Sequence, residues 1–322
     1  MPIPSLLDED DGRDLVRTKM RFRVSVSQIK MFHPDAGGCP RKWAMHYLSR
    51  VPRLPSPALT DGIRLHDCIR DHFHLSPEAW RQRWPTFWTP DLTTAEQARV
   101  KTAQLALAMI PHTPPGNMPP ISESTDMLEV PEIDTAIYIK PDLHRDRRWF
   151  VDWKTTAART KKSDWCLQQP DFWGDLLTEE EILALARKGV KFLQDDIQAR
   201  VYAHGLMQLW REVRVTARWV YGSKKFKPTE TPKTWIVEHT FERAETRAWV
   251  ERNVWPTIEN MNTIRAAFDQ RKLDSTLLIP HNGDSCEHTG KFCDALGYCG
   301  FQPSPIPLGK LRLPVLPGGK NR

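Results

Sequence analysis

Apolar residues recur along the chain with two different periods, and the change between them predicts where helices give way to strands. Over roughly the first third of the chain the apolar positions lie three or four residues apart, as is typical of helices. The first predicted helix covers Val26 to Phe32, with Ser25 or Ser27 as its cap, and the second begins at Cys39-Pro40 and runs through Trp43 and Tyr47. A third follows Thr60 and has Ile63, Ile69 and Phe73 on one face. Two more are predicted, one that begins at Ser76-Pro77-Glu78 and one from Ala95 to Ile110.

The second period, of two residues, predicts strands in the middle of the chain. Ile133, Ile137, Ile139, Phe150 and Val151 mark strands within residues 125–156, with a turn near His144 to Arg148. Val213 to Tyr221 alternates strictly, which predicts a half-buried strand with Thr234 to Phe241 as its partner. The remaining predicted helices are Thr178 to Gly189, an amphipathic helix from Lys191 to Trp210, and Arg247 to Gln270 with a kink at Pro256. This mixture of strands and helices predicts an α/β fold.

The same pattern suggests how the chain is organised. Residues 25–300 are predicted to form a single domain, with a helical insertion at about 76–120 that ends in a proline-rich loop. Residues 1–24 are expected to be a flexible N-terminus. Residues 301–322 contain five Pro and four basic residues without an acid, so an extended tail is predicted there.

Composition narrows the class of protein only slightly. The 322 residues carry a net charge of +6, which permits a polyanionic partner such as DNA. No apolar run reaches the length of a membrane span, and the acidic N-terminus lacks the apolar core of a secretory signal. We therefore expect a cytoplasmic protein that does not bind membranes.

Two carboxylates and a lysine form the main candidate for catalysis. Asp152 and Lys154 lie two apart on a predicted strand and therefore share one face, whereas Trp153 points to the opposite face. Asp142 lies on the preceding strand, across a short turn, so a hairpin would bring it close. Carboxylate oxygens hold Mg²⁺ or Mn²⁺, and a lysine can orient an attacking water. An ordinary surface salt bridge would explain Asp-x-Lys equally well on its own.

Three further residues could complete such a site. Gln198 and Tyr202 lie four apart and share one face of a predicted helix, where either could contact a phosphate, a water or the lysine. His66 follows Gly62 by four residues and could supply an imidazole to a metal. Each of these residues, taken singly, is also explained by an ordinary structural role.

The order of these residues resembles the motif series of RecB-like exonucleases in the PD-(D/E)XK nuclease superfamily. The series is Gly62-x-x-x-His66, Asp142, Asp152-x-Lys154 and Gln198-x-x-x-Tyr202. The resemblance implies a restriction-endonuclease-like mixed sheet core flanked by helices. It also implies that His66, Asp142 and Asp152 bind metal, that Lys154 is catalytic, and that Gln198 and Tyr202 contact the substrate. Asp134 is a rival for Asp142, because Ile139-Lys140-Pro141 departs from the residues that usually precede the first aspartate. We favour Asp142, because the tight hairpin to Asp152 suits it better.

The cysteines form a second candidate site. Cys286, Cys293 and Cys299 are clustered near the C-terminus, and Cys39 stands where a helix is predicted to begin. Four thiolates suit zinc or an iron–sulfur cluster, and His281 or His288 could replace a thiolate at zinc. The layout resembles RecB-like nucleases that hold a four-iron four-sulfur cluster, among them CRISPR-associated adaptation nucleases and the AddB subunit. Cys68 and Cys166 are predicted to be buried small apolar residues.

Together these features predict a metal-dependent DNA exonuclease that acts on single strands or DNA ends and works with recombination or processing partners. Trp80, Arg81, Arg83, Trp84, Phe87 and Trp88 interleave aromatic and cationic residues, which suits either nucleic-acid contact or a helix packed on the core. Lys224, Lys225 and Lys227 are further candidates for phosphate contact. The alternatives are a DNA-binding subunit without hydrolysis on the same scaffold and a zinc-stapled interaction module.

Overall fold

The computed structural model describes residues 20–51, 57–156, 193–227, 229–270, 279–280 and 282. Its helices are α1 (Val26–Phe32), α2 (Pro40–Tyr47), α3 (Pro57–His74), α4 (Pro77–Arg83), α5 (Thr94–Met109), α6 (Ile197–Trp210), α7 (Arg243–Asn253) and α8 (Trp255–Asp269). Its strands are β1 (Phe22–Ser25), β2 (Ile121–Ser122), β3 (Asp126–Val130), β4 (Thr135–Ile139), β5 (Leu143–Arg145), β6 (Trp149–Thr156), β7 (Arg214–Ser223) and β8 (Thr234–Glu242).

The strands form two mixed sheets, which confirms the predicted mixed α/β class. The larger sheet has the order β2-β5-β6-β7-β8, in which β6 and β7 are parallel and all other neighbours antiparallel. The smaller sheet has the order β1-β4-β3, with β1 parallel to β4. The central position of β6 places its residues between helices on both faces of the larger sheet.

The two faces of β6 belong to two different hydrophobic cores. Phe150 joins the core that contains α1, α6 and the smaller sheet. Val151 and Trp153 join a second core, formed with α3, α4 and α5. Because successive side chains of a strand point to opposite faces, Asp152 and Lys154 lie on the Phe150 side. Trp153 packs away from them, as the sequence predicts.

Strand β7 corrects the prediction of a half-buried strand. Both its faces are buried, since Ala217 and Trp219 belong to the first core and Val220 to the second. Gly222 lies so close to α5 that a Cβ atom there would come within 2.5 Å of the Met109 sulfur. Val213 precedes the strand and is 61% exposed, so the buried face begins at Val215.

Helix α6 is shorter and more buried than the amphipathic helix predicted from Lys191. It begins at Ile197 because the Asp196 carboxylate accepts a hydrogen bond from the Ala199 N–H, which satisfies the first turn. Ten of its residues are buried, so it crosses the interior of the molecule. Its burial comes from contact with both sheets and α7, which local sequence does not reveal.

Other differences are local. Phe22–Ser25 form strand β1, although the sequence assigns residues up to 24 to a flexible segment; Phe22 and Val24 are buried against β4. Ile133 lies in a 3-10 turn, Ile63 is 55% exposed, and the predicted kink at Pro256 is a break between α7 and α8 at Val254. The helix predicted over Thr178 to Gly189 lies outside the described residues. None of the described helices has the length and apolarity needed to cross a membrane.

Candidate active site

The β5–β6 hairpin brings Asp142 beside Asp152. Leu143 pairs with Val151, so Asp142, which stands immediately before β5 and not on it, lies next to Asp152. Strand β6 continues beyond the start of β5, and its Trp153 N–H donates to the Asp142 carboxylate at 2.7 Å. The Asp142 side chain thus takes the place of the next ladder partner and is held rigidly at the open edge of β6.

His66 reaches the same edge from α3. Its Nδ1 lies 3.2 Å from the Asp142 carboxylate, and its Nε2 lies 3.2 Å from the Trp153 carbonyl oxygen. Burial lowers the pKa of His66, but the hydrogen bond and the charge of Asp142 more than offset this and raise the pKa to about 9. The imidazole is therefore a cation at neutral pH, and both of its nitrogens are engaged.

Asp152 is the buried carboxylate of the site. It is 3% exposed, accepts a hydrogen bond from Gln198 Nε2 at 2.9 Å and forms an ion pair with Lys154. Burial raises the pKa of Asp152 to about 6; Lys154 opposes this rise and the nearby charge of Asp142 adds to it. The charge of Asp142 thus makes ionisation of Asp152 less favourable, so a positive charge beside the two carboxylates stabilises the site.

Lys154 supplies part of that charge. Burial lowers the pKa of Lys154, but Asp152 and Asp142 outweigh it, so the net shift is upward and the ammonium stays charged. Its side chain remains 30% exposed, and its Nζ donates to Gln198 Oε1 at 3.3 Å. Lys154 therefore connects the buried carboxylate to the protein surface.

Gln198 and Tyr202 face this cluster from α6. A hydrogen bond joins the Tyr202 hydroxyl to the Gln198 side chain, and the Tyr202 ring packs edge-on against Phe150. Burial, followed by the charges of Asp152 and Asp142, raises the pKa of Tyr202, so its hydroxyl stays protonated. The structure thus brings together His66, Asp142, Asp152, Lys154, Gln198 and Tyr202, the six residues that the sequence singles out around the β5–β6 hairpin.

Lys30 also belongs to this cluster, although the sequence gives no sign of it. Its Nζ donates to Gln198 Oε1 at 3.3 Å and lies 3.5 Å from an Asp196 oxygen. Lys30 is therefore a second, partly exposed ammonium that shares an amide oxygen with Lys154.

Asp134 and the tryptophans of the aromatic and cationic patch lie elsewhere. Asp134 adopts a left-handed conformation after a 3-10 turn, and its carboxylate accepts from the Arg21 N–H. Trp80 and Trp84 are buried in the second core, where their indole N–H groups donate to the Cys68 carbonyl and the Asp71 carboxylate. These two tryptophans are core residues and not a stacking surface; Phe87, by contrast, is 85% exposed.

The site has suitable oxygen donors for a hard divalent ion, but the carboxylates among them are paired with the cationic side chains of His66 and Lys154. Asp142, Asp152 and the Trp153 carbonyl offer oxygen atoms, the ligands that Mg²⁺ and Mn²⁺ prefer. In the described part of the chain no three His, Cys, Asp or Glu side chains already surround a metal position. At this site His66 pairs with Asp142, and Lys154 pairs with Asp152. His66 would have to lose its proton before it could ligate a metal.

Of the predicted cluster ligands, only Cys39 lies within the described residues. It is 6% exposed at the start of α2, and the Asn282 N–H donates to its sulfur at 3.5 Å. Cys286, Cys293, Cys299 and Cys166 lie outside the described residues, as do His281 and His288. Cys68 is fully buried, as predicted.

Comparison with known proteins gives a likeness among solved structures. No protein-family model matches the chain, and no curated protein matches it. Among solved structures, the crystal structure of a "Putative exonuclease" from Eubacterium rectale is similar, with a TM-score of 0.48 and 16% sequence identity. The likeness covers 98% of this chain and 100% of that one. The side chains around the β5–β6 hairpin are therefore the basis of the function proposed next.

Proposed function

We propose that the chain is a metal-dependent DNA nuclease that hydrolyses phosphodiester bonds with Mg²⁺ or Mn²⁺. The observation that carries this proposal is the convergence of Asp142, Asp152 and Lys154 at the open edge of β6. Buried carboxylates with a partly exposed ammonium beside them suit a reaction in which negative charge builds up on a phosphate.

Each residue of the site has its own role in the proposed reaction. Asp142 and Asp152, with the Trp153 carbonyl and a deprotonated His66, would hold the metal ion. When bound, that ion supplies Lewis acidity and lowers the pKa of a coordinated water. Lys154 donates hydrogen bonds to the attacking water or to a phosphate oxygen, and Gln198 fixes its direction from α6. Tyr202, protonated and buried, keeps the Gln198 amide in place.

We further propose that the substrate is DNA, taken as single strands or from ends, and that digestion is exonucleolytic. The resemblance of the motif series to RecB-like exonucleases supports this mode, and the net charge of +6 suits a polyanion.

The test is cleavage of end-labelled single-stranded, duplex and circular DNA with Mn²⁺, comparing the wild-type protein with Lys154→Ala. Lys225→Ala is the matched control, because Lys225 is an exposed lysine on the loop after β7. We expect wild type and Lys225→Ala to degrade linear DNA and Lys154→Ala to bind DNA without cutting it. Equal cleavage by Lys154→Ala would refute the assignment.

Cys39, Cys286, Cys293 and Cys299 are proposed to hold a four-iron four-sulfur cluster. The support for this is the position of Ile279, Pro280 and Asn282, which lie against the start of α2. Asn282 comes four residues before Cys286. Arg41 N–H donates to the Pro280 carbonyl at 3.1 Å, and Asn282 Nδ2 donates to the Gly38 carbonyl at 2.9 Å. Four residues can span at most about 14 Å, which brings Cys286 within reach of Cys39.

A second candidate function is a DNA-binding subunit that does not hydrolyse its substrate. It is favoured by the two cations already in the site, since His66 and Lys154 neutralise Asp142 and Asp152 without a metal. Binding of DNA by the wild type with no cleavage in Mg²⁺, Mn²⁺ or Ca²⁺ would support this reading over the nuclease.

A further inference from the structure

A cationic cavity lies beside the candidate active site. It has a volume of about 140 Å³ and opens between α3, α5, the end of β6 and the segment after β7. Its lining residues are Asp61, Arg64, Leu65, Ala98, Lys101, Thr102, Leu105, Thr155, Lys224 and Phe226. The floor is apolar, whereas the rim carries three cationic side chains and one carboxylate.

The single carboxylate does not cancel the positive charge of this rim. Asp61 lies 3.1 Å from Lys224 Nζ and 3.7 Å from Arg64 Nη1, so two cations share it. Lys101 Nζ lies 5.4 Å from the centre of the Phe226 ring and adds a third positive charge. Excess positive charge on partly exposed side chains, above an apolar floor, is suited to a phosphate group with its attached sugar.

The cavity neighbours the site along two elements, on the face of β6 that carries Trp153 and Thr155 and not on the face of Asp152 and Lys154. Leu65 precedes His66 on α3, and Thr155 follows Lys154 on β6. Two residues of strand, from Trp153 to Thr155, cover about 6–7 Å, a distance comparable with the step between neighbouring phosphates in an extended strand. A DNA strand whose reacting phosphate lies at Asp142, beside the Trp153 N–H at the edge of β6, could cross that edge and place a neighbouring phosphate at this rim.

Gly62 lies on α3 between the cavity residues Asp61 and Arg64 and faces open space. It lies one turn before His66, and no atom lies within 4 Å of where its Cβ would be. A glycine inside a helix makes the helix less stable than an alanine would. Open space at this point is what passage of a substrate strand beside α3 would require.

We propose that this cavity binds the phosphate backbone of the DNA strand next to the reacting phosphate, through Arg64, Lys101 and Lys224. The inference rests on the proposed nuclease function and specifies where that site holds its substrate. It also assigns Lys224 a different role from its neighbours Lys225 and Lys227, which do not line the cavity.

The test is binding of a fluorescein-labelled single-stranded oligonucleotide in EDTA, measured from low to moderate salt. Lys101→Gln and Lys224→Gln are compared with Lys225→Gln, an equal change of charge on an exposed neighbour. Each cavity variant should bind several-fold more weakly at low salt and reduce the slope of log K against log salt by about 0.7. Lys101→Arg should restore the wild-type slope, and thermal unfolding shows that each variant is folded.

Failure of this proposal differs from failure of the nuclease assignment. Cavity variants that match Lys225→Gln in affinity and slope, or a wild type that does not bind the oligonucleotide, would overturn the subsite. Absence of cleavage by a wild type that binds with a cavity-dependent slope would overturn the nuclease and leave the subsite standing.

Discussion

Gln198 connects three charged side chains of the candidate site. Its amide oxygen accepts from Lys30 and Lys154, and its amide nitrogen donates to Asp152. A glutamine is suited to this position because it offers a donor and an acceptor at once. Lys30 then acts on the reaction through Gln198, as a positioning residue.

Replacement of Lys30 tests this connection. Lys30→Gln should lower kcat for DNA cleavage by about tenfold, equivalent to about 1.4 kcal/mol, which is the scale of one charged hydrogen bond. KM should change little, and urea unfolding should shift by less than about 1 kcal/mol because the pair with Asp196 is partly exposed. Lys233→Gln, on the exposed loop before β8, is the control; equal kcat for the two variants would contradict the role.

Two glycines should respond to alanine in opposite directions. A Cβ at Gly38 would lie 2.5–2.6 Å from the backbone carbonyl oxygens of Lys30, Met31 and His33, which cannot move aside. Gly38→Ala should therefore destabilise the protein by more than about 1 kcal/mol. A Cβ at Gly62 would have no atom within 4 Å, and Gly62 lies inside α3. Gly62→Ala should therefore stabilise the protein by about 0.5–1 kcal/mol. Urea denaturation of both variants measures this, and a loss of stability in Gly62→Ala would contradict the open space.

At the residue scale, the sequence identifies groups whose partners are near in the chain. Asp142 could be chosen over Asp134 because a tight hairpin joins it to Asp152. Lys30 could not be found, since its partners Asp196 and Gln198 are 166 and 168 residues away. A lysine on a short helix has the same local pattern whether it faces solvent or a site.

At the element scale, helix α6 carries one face of the site and a buried histidine behind it. His204 is 5% exposed, its ring packs edge-on against Trp255, and its Nδ1 has no hydrogen-bond partner among the described residues. Burial, helped by Arg247 and Arg243, lowers the pKa of His204 to about 4. The folded protein therefore holds this imidazole neutral where the unfolded chain would protonate it.

This difference predicts a loss of stability in acid. Between pH 6.5 and 4 the unfolded chain binds a proton at His204 that the folded protein excludes, so this contribution is complete above pH 6.5 and falls as the pH drops towards 4. The loss should approach about 3 kcal/mol. Urea unfolding of wild type and His204→Phe at several pH values isolates it. A constant difference in stability between the two proteins across this range would contradict the prediction.

The elements were predictable where one pattern decides them, as in α1, α2 and the pairing of β7 with β8. The start of a helix or the burial of a strand face was not predictable where it depends on packing against distant parts of the chain. Helix α6 begins at a capping aspartate inside the predicted helix, and β7 is buried on its second face by α5, a helix more than a hundred residues earlier.

At the scale of the whole molecule, Ile279, Pro280 and Asn282 lie at the start of α2. Arg41 Nε donates to the Ile279 carbonyl at 2.8 Å, and Cys39 accepts from Asn282. The sequence could suggest that the two ends meet only through the spacing of cysteines. It could not show two sheets where one was expected, because β1 and β4 are parallel partners more than a hundred residues apart.

The proposed cluster predicts different outcomes for two buried cysteines. In protein purified without oxygen, Cys39→Ala should lose iron, the visible absorption of the cluster and several degrees of Tm. Cys68→Ala should keep its iron, because Cys68 packs in the second core. Zinc in place of iron in the wild type would favour the interaction module. An iron content in Cys39→Ala equal to that of the wild type would show that Cys39 is not a ligand of the cluster.

The most direct measurement of the central claim is a Mn²⁺ titration paired with DNA cleavage on the same preparations of wild type, Asp152→Asn and Lys154→Ala. If Asp152 binds the metal and Lys154 acts on the reaction, Asp152→Asn loses both Mn²⁺ binding and cleavage. Lys154→Ala then binds Mn²⁺ at least as well as the wild type, because its carboxylate partner is released, yet does not cut DNA. Unchanged Mn²⁺ binding in Asp152→Asn, or cleavage by Lys154→Ala, would contradict the account.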